Sequence, residues 1–302
     1  MANAVLITLG HEEVQVELDF RYYELSSGTA SQRIDTLFPE WGTENEVVAV
    51  LAPHDDDAIL GAGYLIQAVL AAGGVPYVFI YCMGDAGYST VQEKDSIVAT
   101  RMEESRSAYR MLGIDEDHVI RFNYPDFSVR QHTGRVLTTG AEGTFGQTVR
   151  ALRKIRATRL VTPNTYREHS DHEAVGSIGL FDGPQAGDRI LVDWGEPSAI
   201  RTFLQYTVWA DFGPEDALTG GRPPQIRANR ALRAPAEAEK VVAAALREFG
   251  SQRQVIKGLL DARKARAYGD GYLELYVATD ARPRLEFGPY VELLASIDRA
   301  RS

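Results

Sequence analysis

Two different periods of hydrophobic and polar residues run along this chain, and the switches between them mark its elements. Val47 to Leu51 is an unbroken apolar run, as expected of a strand buried on both faces. Residues 57–73 then carry helical spacing and stop at Gly73-Gly74, a helix-ending signal. Val75 to Cys82 predicts a second strand. Residues 92–112 predict a helix with Val98, Met102, Tyr109 and Leu112 on one stripe, closed by Gly113. His118 to Phe122 reads as a strand, residues 144–156 as a helix, Arg159 to Thr162 as a strand, and the chain is helical again from His172. Strands alternating with helices of this length imply parallel βαβ units, hence an α/β fold with a mostly parallel sheet and helices on both faces.

The two ends follow other patterns. Residues 3–20 alternate loosely about Leu9-Gly10-His11 and predict a β-hairpin, with residues 26–45 as a connector. Beyond residue 200 the reading is an α+β extension. Ile200 to Trp209 is a strand, Asp211 to Pro235 a long Gly- and Pro-rich loop, 236–249 and 251–267 helices, and Tyr272 to Val277 a strand. The expected organisation is a hairpin and connector over 1–45 and one domain over 46–302. That domain has its motif-bearing core at 46–180 and its extension at 200–302.

Composition narrows the function classes. A net charge of −10 argues against a nucleic-acid partner, whose footprint is normally a basic stripe. The first residues show no basic stretch leading into an apolar one, and no run is long enough to span a bilayer, so a soluble, cytoplasmic protein is the expectation. One cysteine, Cys82, sits in an apolar run and reads as core.

Chemistry concentrates at two strand ends. Pro53-His54-Asp55-Asp56-Asp57 directly follows the first buried strand, where open α/β sheets bind ligands. A helix N-terminus tolerates negative charge, but a cation would offset three adjacent acids far better, and imidazole with carboxylate suits zinc. The plainer reading is an N-cap and a solvated first turn. An Asp-x-Asp magnesium site using Asp55 and Asp57 is another, which leaves His54 unexplained. The second segment, Glu168-His169-Ser170-Asp171-His172, follows a later strand; three of the six histidines fall in these two segments. The other three, His11, His118 and His132, read as surface or structural. Gly61 and Gly63 lie inside a helix pattern, so close packing explains them better than a dinucleotide loop. Trp194 and Trp209 could be sugar-stacking platforms or ordinary packing.

Together these segments resemble the PIG-L/LmbE family of zinc-dependent deacetylases. The family carries Pro-His-Pro-Asp-Asp-Glu and then Leu-Gly-x-Gly after its first strand; this chain has Pro53 to Ala58 and then Leu60-Gly61-Ala62-Gly63. His169-Ser170-Asp171-His172 matches the second family motif. Arg101, Glu104, Ala108, Leu112 and Gly113 fit an intervening Arg-x-x-Glu pattern, and Pro125-Asp126 sits where the family has a substrate-contacting Asp. Lys240 and Ser251-Gln252 are similar to longer members. The resemblance covers about residues 46–180 and implies a Rossmann-like sheet.

It further implies a zinc site of His54, Asp57 and His172, with Asp56 as general base. His169 would stabilise the oxyanion as a protonated donor, with Asp171 orienting a neighbouring imidazole. Arg101 and Asp126 would hold the sugar, although Arg101 could instead pair structurally with Glu104 or Asp126. The implied reaction is metal-assisted hydrolysis of an N-acyl group, acetyl first, from a small amino-sugar or glycoconjugate. The chain departs from the family at two positions, Asp55 for Pro and Ala58 for Glu. The second removes a carboxylate that supports the metal ligands, which would lower metal affinity unless Asp55 compensates. Two alternatives stand beside this reading: an amidase for a thiol-sugar conjugate, and a binding protein with a relic metal site. Oligomeric state is not legible.

Overall fold

The computed structural model describes residues 3–9, 12–42 and 46–301. Strands β1 (Asn3–Leu9) and β2 (Glu12–Leu18) form the expected antiparallel hairpin; its turn residues Gly10 and His11 lie outside the described residues. The main sheet has at its heart five parallel strands. In spatial order they are β9 (Thr202–Tyr206), β8 (Arg159–Pro163), β5 (Val47–Ala52), β6 (Val75–Cys82) and β7 (Val119–Tyr124). Beyond β9 the sheet turns antiparallel through β12 (Gly271–Thr279), β10 (Arg230–Pro235), β3 (Arg21–Glu24) and β4 (Thr29–Ser31), with β11 (Ala267–Tyr268) paired to β12. The stretches expected to be connector and long loop therefore each supply a sheet strand, β4 and β10. Residues 29–31 are too short and too exposed to reveal β4, an edge strand, while β10 is an inner strand with Ala231, Leu232 and Ala234 buried, and its interleaved arginines and terminal proline hide it in the sequence.

The helices are α1 (Asp57–Ala71), α2 (Ile97–Met111), α3 (Thr144–Ile155), α4 (Ser170–Ser177), α5 (Pro214–Thr219), α6 (Ala236–Arg247), α7 (Arg253–Arg263) and α8 (Gly288–Arg301). Strand side chains alternate between two cores. Val48, Val50, Val78, Ile80, Val161 and Leu204 face α1, α2 and α6; Ala49, Leu51, Phe79, Tyr81 and Leu160 face α3 and α4. This two-sided burial is why β5 and β6 read as continuous apolar runs. On α2 the buried residues are Ile97, Arg101, Ser105, Ala108 and Tyr109, whereas Met102 is exposed. The apolar stripe misplaced the inner face because a charged residue, Arg101, belongs to it. Helix α5 and helix α8 were not foreseen.

Helix α1 is broken at Ala62, where φ is −140°. The freed groups find partners from the extension. Glu274 accepts from the Tyr64 and Leu65 amides at 3.0 Å each, and the Arg263 guanidinium donates to the Leu60 carbonyl at 3.0 Å. A Cβ on Gly61 would come within 2.1 Å of the Tyr206 ring, so close packing explains this glycine. Chain direction then fixes the site. From β5 the chain winds outward through β6 and β7, then returns to β8 on the other side of β5. The C-terminal ends of β5 and β8 flank the resulting switch point, where an open sheet leaves a crevice.

Candidate active site

The turn after β5 and the turn after β8 meet in that crevice. Asp57 begins α1 and is buried, and its Oδ2 accepts the His54 backbone amide at 2.8 Å. The same oxygen lies 3.1 Å from His54 Nδ1 and 3.1 Å from His172 Nε2. His54, Asp57 and His172 present ligand atoms all within 4.8 Å of one another. Burial opposes charge on all three, but Asp171 and then Asp57 outweigh it for His54, Asp57 outweighs it for His172, and the two rings outweigh it for Asp57. The Asp57 carboxyl is held below the usual range, His172 is pushed up to about 9, and His54 is held well above an ordinary imidazole. Two cationic rings converging on one carboxylate oxygen is the arrangement a divalent ion would replace.

Each ring also has a carboxylate behind it. His54 Nε2 is 3.5 Å from Asp171 Oδ2, and His172 Nδ1 is 3.3 Å from Glu168 Oε2. Such pairs orient imidazoles for metal binding. Glu168 escaped the sequence reading although it stands four residues before His172. Its carboxylate also accepts the backbone amides of Val208, Trp209 and Ala210 at 3.1–3.3 Å, which ties the segment after β9 to the site. Asp171 does similar work on the other side, accepting from Phe127 N at 2.6 Å and Val129 N at 3.1 Å. Phe127 sits at φ 61°, a strained region for a non-glycine residue. Its ring is exposed and packs 4.5 Å from the His169 ring. A second set, His54, Cys82 and Asp171, also brings ligand atoms together. Cys82 is buried, and burial pushes its thiol up to about 12, so a thiolate ligand is disfavoured there.

His169 caps α4. Its Nδ1 accepts the Asp171 amide at 3.2 Å, which leaves the proton on Nε2. Burial and the neighbouring His54 charge hold its pKa below the ordinary value. The contact aims Nε2–H outward as a donor, and burial disfavours the charged ring that the sequence reading expects. The Asp56 carboxyl is raised by burial, opposed by Arg101 and raised further by Asp57.

Asp55 does not approach the cluster. It is buried, bound to Arg121 Nη1 and to Arg101 Nε at 3.3 Å, and its backbone carbonyl accepts from Tyr109 Oη at 2.8 Å. Asp55 is therefore committed to these arginines and does not stand in for a glutamate at position 58. Arg101 is 4 % exposed and its Nη2 is 3.6 Å from Asp56 Oδ1, so its guanidinium is spent on Asp55 and Asp56 rather than on Glu104 or Asp126. Glu104 instead accepts from Ser251 N and Oγ, both at 2.7 Å. Asp126 accepts from Gly84 N at 2.9 Å and Ala86 N at 3.1 Å, locking the segment after β6. Trp194 stacks with Arg150 at 4.6 Å, while Trp209 is exposed beside Glu168. His118 and His132 pack against Tyr77 and Tyr124 as structural rings.

No curated protein matches the chain. Among solved structures it is similar to the conserved protein TT1542 from Thermus thermophilus, at 21% identity over 80% of this chain and 97% of that one, with a TM-score of 0.58. It is also similar to N,N'-diacetylchitobiose deacetylase from Pyrococcus horikoshii, at 16% identity over 82% and 91%, TM-score 0.56. GalB, the 4-carboxy-2-hydroxymuconate hydratase from Pseudomonas putida KT2440, shares the fold at 14% identity over 80% and 98%, TM-score 0.57. The family model for PIG-L, GlcNAc-PI de-N-acetylase, matches residues 49–180, the stretch that holds both turns of the site. Residues 49–180 thus match the PIG-L family model, in a chain that shares its fold with these solved structures.

Proposed function

We propose that this protein is a zinc-dependent hydrolase that removes an N-acyl group, acetyl first, from an amino-sugar-type substrate. The fold alone does not choose the reaction, since a hydratase shares it. The observation that carries the reading is the convergence of His54 Nδ1 and His172 Nε2 on Asp57 Oδ2, with Asp56, the residue before Asp57, near enough to feel the charges of Asp57 and His54. Two imidazoles and one carboxylate are a donor set suited to catalytic zinc, and a cation held there supplies Lewis-acid polarisation and acidifies water.

The remaining steps belong to the chain. Asp56, ionised and steered by Arg101, accepts a proton from the attacking water and returns it to the amide nitrogen as the C–N bond breaks, releasing the free amine and the carboxylate. His169 donates through Nε2–H to the carbonyl oxygen as charge develops there, a contribution typically worth about 3 kcal/mol. Asp171 and Glu168 hold His54 and His172 in orientation. Arg101 and Asp126 act on the substrate indirectly, Arg101 through Asp56 and Asp126 by fixing residues 84–86. The exposed rings of Phe127 and Trp209 offer apolar faces for a sugar. The substrate class rests on the match to the PIG-L family model and on the similarity to a chitobiose deacetylase. We place the protein in the cytoplasm, in keeping with described helices that are all too short or too polar to cross a membrane.

The test is metal analysis of chelator-free protein together with acetate release from N-acetylated amino sugars. Bound zinc that is lost in His172→Ala, with acetate release in the wild type, supports the reading. Equal zinc in both proteins, or water addition without acyl release, overturns it.

A further inference from the structure

We infer that α8 is a dimerisation helix that pairs antiparallel with α8 of a second copy of this chain. The segment leaves the body after Arg282, which is held by both carboxylate oxygens of Asp188 at 2.7 and 2.8 Å. Beyond it, Phe287, Tyr290, Val291, Leu293, Leu294 and Ile297 are all 42–67 % exposed. The Val291 amide donates to the Phe287 carbonyl at 2.9 Å, so Phe287 is already in helical register. Phe287, Tyr290, Leu294 and Ile297 recur at spacings of three, four and three, the seam of a coiled coil, with Val291 and Leu293 on its two flanks. A solitary exposed leucine needs no explanation, but six on one stripe mark an interaction surface.

The occupant follows from where the flanking residues fall. In a parallel pair, Leu293 would lie beside the partner's Asp298, an apolar side chain against a carboxylate. In an antiparallel pair, positions on the same flank meet their own copies, so Leu293 packs on Leu293 and Val291 on Val291. The seam then pairs Phe287 with Ile297 and Tyr290 with Leu294, and every apolar residue of the stripe finds an apolar partner. The antiparallel arrangement also sets the two helix dipoles favourably. Complete covering of these side chains on both copies removes roughly 1,200 Å² from water, at the lower edge of the range of specific interfaces.

The experiment is sedimentation equilibrium of the full chain over a concentration series, beside Leu294→Glu, Leu293→Cys and Ile297→Cys variants. We expect a dimer for the wild type and at least tenfold weaker association for Leu294→Glu at unchanged far-UV circular dichroism. Leu293→Cys should form an oxidative cross-link between copies and Ile297→Cys should not; the native Cys82 is buried and does not compete. A wild-type monomer throughout the series overturns the proposal, as would a Leu294→Glu variant that lowers Tm without altering mass, because the helix then packs on its own chain. Cross-linking at Ile297→Cys but not at Leu293→Cys overturns the antiparallel pairing.

Discussion

Asp55 and Arg101 form a buried ion pair, Nε to Oδ2 at 3.3 Å, at the position where the PIG-L pattern has a proline. Arg121 completes the carboxylate and Asp56 shares the guanidinium, so the pair links the turn after β5 to α2 and β7. Removing one partner strands a buried charge. Arg101→Ala should therefore cost about 3 kcal/mol of stability in denaturant unfolding. It should also lower kcat through Asp56 more than it raises KM. A stable variant with only a raised KM would make Arg101 a direct sugar ligand instead.

Glu168 connects His172 to three consecutive amides. Glu168→Gln should keep the fold but weaken zinc binding by on the order of 10–100-fold in a chelator competition titration. Glu168→Asp should recover part of the loss. Unchanged affinity in both variants would reduce Glu168 to a loop anchor.

Asp56→Asn should retain its zinc and lose about 10²–10⁴ in kcat, read from acetate release alongside metal content. Near-normal turnover at full zinc would remove Asp56 from the role of base. His169→Ala should lose about 10²-fold in kcat, typical of deleting one oxyanion donor. Because His169 donates as a neutral ring, this variant should leave the alkaline limb of the pH–rate profile where it is.

Glu46 lies at the opposite end of the sheet, buried against Arg159 and also bonded to Thr158 and the Gly42 amide. Burial alone would raise its pKa, but these partners bring it down to about 2 from the ordinary 4.5. A depressed carboxyl stabilises the fold above its unfolded pKa and loses that contribution as pH falls toward the folded one. Glu46→Gln should thus be about 2 kcal/mol less stable than wild type at neutral pH, allowing for solvent screening. The gap should narrow below about pH 4 in urea titrations. A gap independent of pH would mean that packing, not charge, sets the effect.

By itself the sequence determined the parallel core and which scarce side chains gather at its strand ends. Strands buried on both faces leave unbroken apolar runs, and scarce histidines beside acids at two strand ends are visible without coordinates. His54, Asp57 and His172 are brought together as their two motifs require. Tertiary structure decided whatever depends on partners far away in the chain. Asp55 turns inward because Arg101 and Arg121 arrive from α2 and β7, 46 and 66 residues later. Glu168 matters because the amides of Val208 to Ala210 cross above it, and β4 and β10 are strands because neighbouring edges accept their hydrogen bonds. The His169 proton belongs to the same class: a backbone amide two residues on takes Nδ1, and only the folded turn sets that contact. Periodicity reports what a residue buries, whereas these assignments rest on which charge or hydrogen bond meets it.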